Sequence, residues 1–355
     1  MEHFFRILIS LFGIVVFVSV FDKIVFPLQI TDYKEFITNR FALQTDLNYI
    51  SLMTYNIRFD FLDFNKQSWL YRKEKLLNNI VVKSPDILSL QEDTSQQVGY
   101  LYKELNRIYD VIWSKEIFLN HNYTNLQHNS IFYKRNLFTP LFNQTIWLNE
   151  NQTQNILGWD SKYPRTATIA IFKYKNNTYI SNNIFAIVNV HLDHRGKIAR
   201  KEGIRLVLKK VNEIISEQTN EKVPIFLMGD LNETPKQKVD QIILQNNYTD
   251  VWLKCREEGN KCKFGEQYSS SFHCYTGSFV NNIFIRNLFY FVFYAHGGLF
   301  SEYGRYHIDH MYYVDGNYSK ISPLYVSMPS DDLFMDKSGI YASDHFPIFA
   351  VFKIY

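Results

Sequence analysis

The run Pro224-Ile-Phe-Leu-Met-Gly-Asp-Leu-Asn-Glu-Thr-Pro235 is apolar until Gly229 and then presents Asp230 and Asn232. Residues two apart project the same way from an extended chain, so both side chains can address one ligand; capping of a following turn by Asp230 is the plainer alternative. Ile87-Leu-Ser-Leu-Gln91 runs likewise into Glu92, an acid that is hard to bury unpaired and that a cation would satisfy, unless it opens the helix before Ser95. Asn56 closes Ser51-Leu-Met-Thr-Tyr-Asn56, and His191 closes Ile187-Val-Asn-Val-His191. Tyr306-His-Ile-Asp-His310 and Ala342-Ser-Asp-His-Phe-Pro347 each set an acid beside a histidine, and Asp309 could hold His345 in one tautomer.

No one of these ends is specific. Together, Glu, Asp, Asn and His at the ends of six apolar runs, with no cysteine among them, suit a hard divalent ion such as magnesium or manganese. Such an ion with imidazoles beside it is what phosphoryl transfer to water requires: charge neutralisation, a positioned water and donors for phosphate oxygens.

At these residues the chain resembles the endonuclease/exonuclease/phosphatase family, through Thr54-Tyr-Asn-Ile-Arg58, Leu90-Gln-Glu92, Asn189-Val-His-Leu192, Gly229-Asp-Leu-Asn232, Ile308-Asp309 and Ser343-Asp-His-Phe-Pro347. The resemblance implies that Glu92 binds magnesium, with Asn56 near metal and phosphate and Asp344 as a further carboxylate on or behind the metal. It implies that His191 donates to a phosphate oxygen. Asp230 would orient or deprotonate the attacking water, Asn232 would steady it, and Asp309 would polarise His345, leaving the general base open between Asp230 and His345. Leu157-Gly-Trp-Asp-Ser-Lys-Tyr-Pro-Arg-Thr166 and His191-Leu-Asp-His-Arg195 look like a largely exonuclease-like subgroup, with Arg165 as a phosphate contact and Trp159 as a stacking surface or a structural residue.

The elements that must carry these side chains are legible as period-two and helical runs. Strands are expected at Tyr49–Ile57, Ile87–Gln91, Asn129–Lys134, Ala167–Tyr174, Ile184–His191, Ile225–Gly229, Ile308–Val314 and Phe346–Phe352. Helices are expected at Trp69–Val82, Ser95–Ile108 and Ile198–Glu217, the last with an apolar stripe suited to a sheet. This alternation predicts an α/β fold, and the resemblance implies a four-layer sandwich of two mixed sheets flanked by helices.

The chain's 355 residues, 46% apolar and 21% charged, suffice for one large domain, expected over 47–355. A net charge of +3 neither announces nor excludes a polyanion partner. Ile7 to Phe21 carries no charge, so 1–21 reads as a signal peptide or signal anchor, with 22–46 a stalk or domain edge. That predicts a membrane-anchored or secreted protein whose catalytic domain is lumenal or extracellular, and the Asn-x-Ser/Thr sequons at Asn122, Asn143, Asn151, Asn176, Asn247 and Asn317 fit it. Cys255, Cys262 and Cys274 allow one disulfide with a thiol left over. An aromatic insertion at 278–300 is either a membrane-touching loop or lid, or an extra element on the core. The leading expectation is a magnesium-dependent phosphodiesterase of nuclease type, acting as a monomer on nucleic acid. The alternatives are a phospholipid phosphodiesterase, a phosphatase and, remotely, a binding module without catalysis.

Overall fold

A computed structural model describes residues 48–61, 63–113, 127–152, 156–175, 183–264, 270–275, 307–328 and 340–355. Within them the apolar runs form two mixed sheets. The first has the order β10 (Lys263–Phe264), β12 (Ile321–Ser327), β13 (Ile348–Ile354), β1 (Tyr49–Asn56), β2 (Ile87–Gln91), β4 (Ile131–Lys134) and β3 (Tyr109–Ile112). The second has the order β5 (Phe138–Trp147), β6 (Thr166–Tyr174), β7 (Ile184–His191), β8 (Ile225–Asp230), β11 (Asp309–Val314) and β9 (Thr249–Asp250). β1 runs parallel to β2 and β7 parallel to β8, while β11 runs antiparallel to β8.

The strand alternation decides what fills the space between the sheets. Ile50 and Leu52 of β1, Ile87 of β2, Phe185 and Ile187 of β7, Phe226 and Met228 of β8, and Met311 and Tyr313 of β11 share one core. Continuing each strand in steps of two toward one end of the sandwich gives Thr54 and Asn56, Ser89 and Gln91, Asn189 and His191, Asp230, and Asp309. The inner faces therefore change from hydrocarbon to polar groups along one direction. Where they change, Gln91 Nε2 donates to Thr54 Oγ1 at 3.0 Å and to Asn189 Oδ1 at 2.7 Å, and Asn189 Nδ2 donates to Leu90 O at 2.7 Å and Ser130 O at 3.0 Å. These bonds tie the sheets together without leaving those donors unpaired.

Helices cover the outer faces. α3 (Lys197–Gln218) buries Ile204, Val207, Leu208, Val211 and Ile215, and with Val239 and Ile243 of α4 (Lys238–Gln245) they pack against Val188 and Leu227 of the second sheet. α1 (Trp69–Lys83) buries Arg72, Leu76, Asn79, Ile80 and Lys83, setting Lys83 Nζ 5.7 Å from the Phe349 ring of the first sheet. α2 (Ser95–Leu105) opens on a capping box between Thr94 and Gln97, so Glu92 is not needed to start that helix. α5 (Val251–Glu258) is capped by Asp250, whose Oδ1 accepts from Leu253 N at 2.8 Å.

The eight expected strands and three expected helices are present with ends shifted by a few residues. β3, β5, β9, β10, β12, α4 and α5 lie beyond that expectation. Cys255 and Cys262 are joined in a disulfide and Cys274 is free. The signal or anchor at 1–21, the stalk at 22–46 and the insertion at 278–300 lie outside the described residues. No helix among the described residues is long and apolar enough to cross a membrane.

Candidate active site

At the polar end of the sandwich, β8 and β11 pair so that Asp309 stands directly across from Asp230. His345, from the loop before β13, places Nδ1 2.8 Å from Asp309 Oδ2 and Nε2 4.0 Å from Asp230 Oδ2. All three side chains are buried. Burial works against charge on His345, but Asp309, Asp344 and Asp230 outweigh it and hold the imidazole up to about 10. Burial, with the neighbouring Asp309 charge, pushes Asp230 up to about 7 despite His345 and two hydrogen bonds. Asp309 keeps its other oxygen, Oδ1, buried without a hydrogen-bond partner. One ligand atom each from Asp230, Asp309 and His345 lie within 4.8 Å of one another, close enough to hold a cation.

Asp230 does both things the sequence allowed. Its Oδ1 caps the next turn by accepting from Asn232 N at 2.8 Å, and its Oδ2 accepts from Asn56 Nδ2 at 3.0 Å. The turn requires positive φ at Gly229 (143°) and Asn232 (49°), and a Cβ at Gly229 would lie 1.9 Å from Val190 O. The motif's glycine thus permits the close approach of β7 and β8.

Asn232 Nδ2 donates to Leu192 O at 2.9 Å and lies 3.2 Å from His191 Nε2. Arg165 Nη1 lies 3.0 Å from His191 Nδ1, and Arg165 has no acceptor to offer. Each ring nitrogen of His191 thus faces an N–H donor, Arg165 at Nδ1 and Asn232 at Nε2, and Nε2 also lies 3.5 Å from Asp230 Oδ2. Burial and then the Arg165 charge hold the His191 pKa well below its usual value, so this imidazole is neutral. Arg165 is fixed in turn by Gln127 Oε1 at 3.1 Å and by Asp193 Oδ2 at 3.9 Å.

The opposite wall carries Glu92, which leaves β2 with φ 60°. Asn56 Nδ2 donates to Glu92 Oε1 at 3.2 Å as well as to Asp230, so one carboxamide links the two walls. Arg58 Nη1 lies 4.0 Å from Glu92 Oε2 and Arg58 Nε lies 3.8 Å from Asp344 Oδ2. Two carboxylates thus converge on one cationic group, and the Asn56 amide oxygen accepts from the backbone N–H of that same Arg58 at 3.1 Å, so the groups gathered here are oxygen donors of the kind a hard divalent ion takes.

Trp159 lies in a turn where its backbone N–H donates to Glu150 Oε1 at 3.2 Å, and no contact among the described residues joins it to this group. Asp160 beside it caps α3, accepting from Ala199 N at 2.7 Å and Ile198 N at 3.2 Å. One positioning residue carries no motif signal. Arg72, fully buried in α1, donates to the carbonyls of Gln67, Ile57, Ala342, Arg58 and Phe59 at 2.6 to 3.2 Å. It fastens the segment after Asn56 to the residue before Ser343, and so ties Asn56 to Asp344 and His345.

The model of the Endonuclease/Exonuclease/phosphatase family matches residues 53–345. Among solved structures, an endonuclease/exonuclease/phosphatase from Bacteroides vulgatus is 23% identical, covering 86% of this chain and 99% of that one with a TM-score of 0.66. A mannosyl-6-phosphatase from Bacteroides thetaiotaomicron is 21% identical over 86% of this chain and 99% of that one, at a TM-score of 0.65. TDP2 from D. rerio, complexed with a single-strand DNA product, is 18% identical over 86% and 99%, at a TM-score of 0.58. No curated protein matches the chain in sequence. With the family's model spanning both walls of the site, from Met53 to His345, the chain belongs to the endonuclease/exonuclease/phosphatase family.

Proposed function

We propose that this chain is a divalent-metal-dependent phosphoester hydrolase. The observation that carries the reading is the buried Asp309–His345 pair at 2.8 Å, set within 4.0 Å of Asp230 and across from the Glu92–Asp344 wall. Magnesium or manganese, held by Glu92, Asn56 and Asp344, would neutralise the phosphate charge and act as a Lewis acid on it. The chain's own groups account for the rest. His345, kept cationic by Asp309, presents Nε2–H to a phosphate oxygen. His191, kept neutral by burial and the Arg165 charge, stands beside it as a second imidazole, and its Nε2–H tautomer would donate to the phosphate. Asp230 Oδ2, raised toward neutrality, takes the proton of the attacking water, the carboxylate being held by the Asn56 carboxamide and the Asn232 backbone N–H.

For the ester itself we favour a phosphodiester of nuclease type. Support comes from the exonuclease-like motifs and from the likeness to TDP2, whose solved structure is complexed with a single-strand DNA product. A phosphomonoester is the second reading. It is favoured by the likeness to a mannosyl-6-phosphatase. The test sets bis(p-nitrophenyl) phosphate and single-stranded DNA and RNA beside p-nitrophenyl phosphate, with magnesium and with chelator. Cleavage that needs the metal and disappears in Asp230→Ala and His345→Ala is expected. Unchanged cleavage in both variants refutes the site, and release of p-nitrophenol only from the monoester decides for the phosphatase.

We further propose a secretory destination, with a leader or anchor at 1–21, a stalk at 22–46 and a monomeric catalytic domain at 47–355. The Cys255–Cys262 disulfide supports it, as does the exposure of the sequon residues Asn143, Asn151, Asn247 and Asn317. Expression of the full chain in a eukaryotic secretory host should yield a product whose mobility shifts with endoglycosidase. A product without glycans in the cytosolic fraction would count against it.

A further inference from the structure

Arg58 leaves β1 two residues after Asn56, with φ 57°. Its guanidinium is docked on Asp63 by a two-pronged contact, Nε to Oδ2 at 3.0 Å and Nη2 to Oδ1 at 3.1 Å. The distances to Glu92 (4.0 Å) and Asp344 (3.8 Å) are too long for hydrogen bonds yet well within Coulomb range. One cation is thus shared by three carboxylates and hydrogen-bonded to one. Asp63 is itself braced, accepting from Tyr275 Oη at 3.1 Å and lying 4.0 Å from Arg72 Nη2. It is a fixed post and Arg58 is the group it holds.

We infer that Arg58 is an internal stand-in for the metal, balancing Glu92 and Asp344 until a divalent ion binds, while Asp63 retains and neutralises the guanidinium once it does. The inference rests on the metal placement proposed above. With the ion bound, two positive charges face Glu92 and Asp344, and Arg58 with Asp63 forms a neutral pair beside them. Arg58 therefore opposes metal binding by like-charge repulsion, and Asp63 favours it by cancelling that charge. The two ends of one salt bridge shift metal affinity in opposite directions. A bridge that only stiffened the loop would shift it in one direction.

The experiment is calorimetric titration of magnesium and of manganese into the chelator-treated full chain. Arg58→Met should bind the ion more tightly by about tenfold, and Asp63→Asn more weakly by a similar factor, roughly 1.4 kcal/mol each way. Arg58→Lys, which keeps the charge, should stay within about threefold of wild type. Without metal Arg58→Met should melt lower than wild type, and manganese should raise its melting temperature by the larger amount. If Arg58→Met does not fold, Arg58→Gln takes its place with the same expectation. Weaker or unchanged binding in the neutral variant, or shifts of one sign at both positions, overturns the inference alone when wild type binds the ion and hydrolyses its ester. Failure of wild type to bind either ion overturns the metal reading and this inference together.

Discussion

Asp309 and Asp230 face each other as Cα partners across the β8–β11 ladder, two buried carboxylates in a position where like charges repel. The arrangement persists because His345 lies 2.8 Å from one and 4.0 Å from the other. Asp309 thereby acts twice, orienting His345 and raising Asp230 toward the pKa of a useful base.

Replacing Asp309 with Asn should remove both effects while preserving shape. The turnover number should fall on the order of a hundredfold or more, within the range set by loss of general acid–base help. The Michaelis constant should move much less. Steady-state kinetics with magnesium would show it, and a change confined to the Michaelis constant would argue against the orienting role.

His345 is held up to about 10 in the folded chain against 6.5 when free, so its pairing contributes stability that is complete below pH 6.5 and lost as pH climbs through 10. Asp230 has the same sense at lower pH: its raised value also makes the folded state lose stability as pH rises, here from 3.8 to about 7. In chelator-treated protein, the urea midpoint of wild type relative to His345→Gln should therefore shrink between pH 6.5 and 10. A gap that stays constant over that window contradicts the pairing.

Arg72→Met should strip several buried carbonyls of their donor and cost roughly 2–4 kcal/mol of stability. Because those carbonyls flank both Asn56 and Ser343, hydrolysis and metal binding should weaken together. Arg72→Lys restores the charge but not the fork and should recover only part of each. Denaturant melts paired with metal titration would separate this from a local effect.

Gly229→Ala would press a methyl carbon into Val190 O at a φ that side chains resist, and a loss of about 3 kcal/mol or more is expected. Gly99→Ala, in α2 with open space around it, should instead stabilise by about 0.5–1 kcal/mol. Thermal melts of the two variants test the contrast, and a Gly229→Ala protein as stable as wild type would show that the β7–β8 spacing can relax.

Much of the site was legible because each inward strand face ends its apolar series on a polar residue, as in Ile187, Asn189 and His191. Period two reports direction, so the convergence of such ends could be anticipated. The elements missed had weaker patterns. β5 is an edge strand containing Pro140, with many of its side chains exposed. β9 and β10 are two residues each. Arg72 reads as an ordinary helix cation because its partners are backbone carbonyls, which no side-chain pattern reveals. Arg58 stood inside a motif without a role, since its meaning depends on Asp63 and Tyr275, from separate loops. Arg165 bonds to the Nδ1 side of His191, a direction that residue type does not encode.

The passage from hydrocarbon to polar groups along the inner faces makes the width of the reaction centre a property of the distant interior. Sheets stack about 10 Å apart, a spacing set by the rings and branches that interdigitate between them. Phe226 and Phe352, whose ring centroids are 5.0 Å apart, act as spacers between the two halves. A bulkier or smaller residue there alters how far Glu92 stands from His191, so turnover can be detuned from the greasy end of the molecule with every catalytic group left untouched.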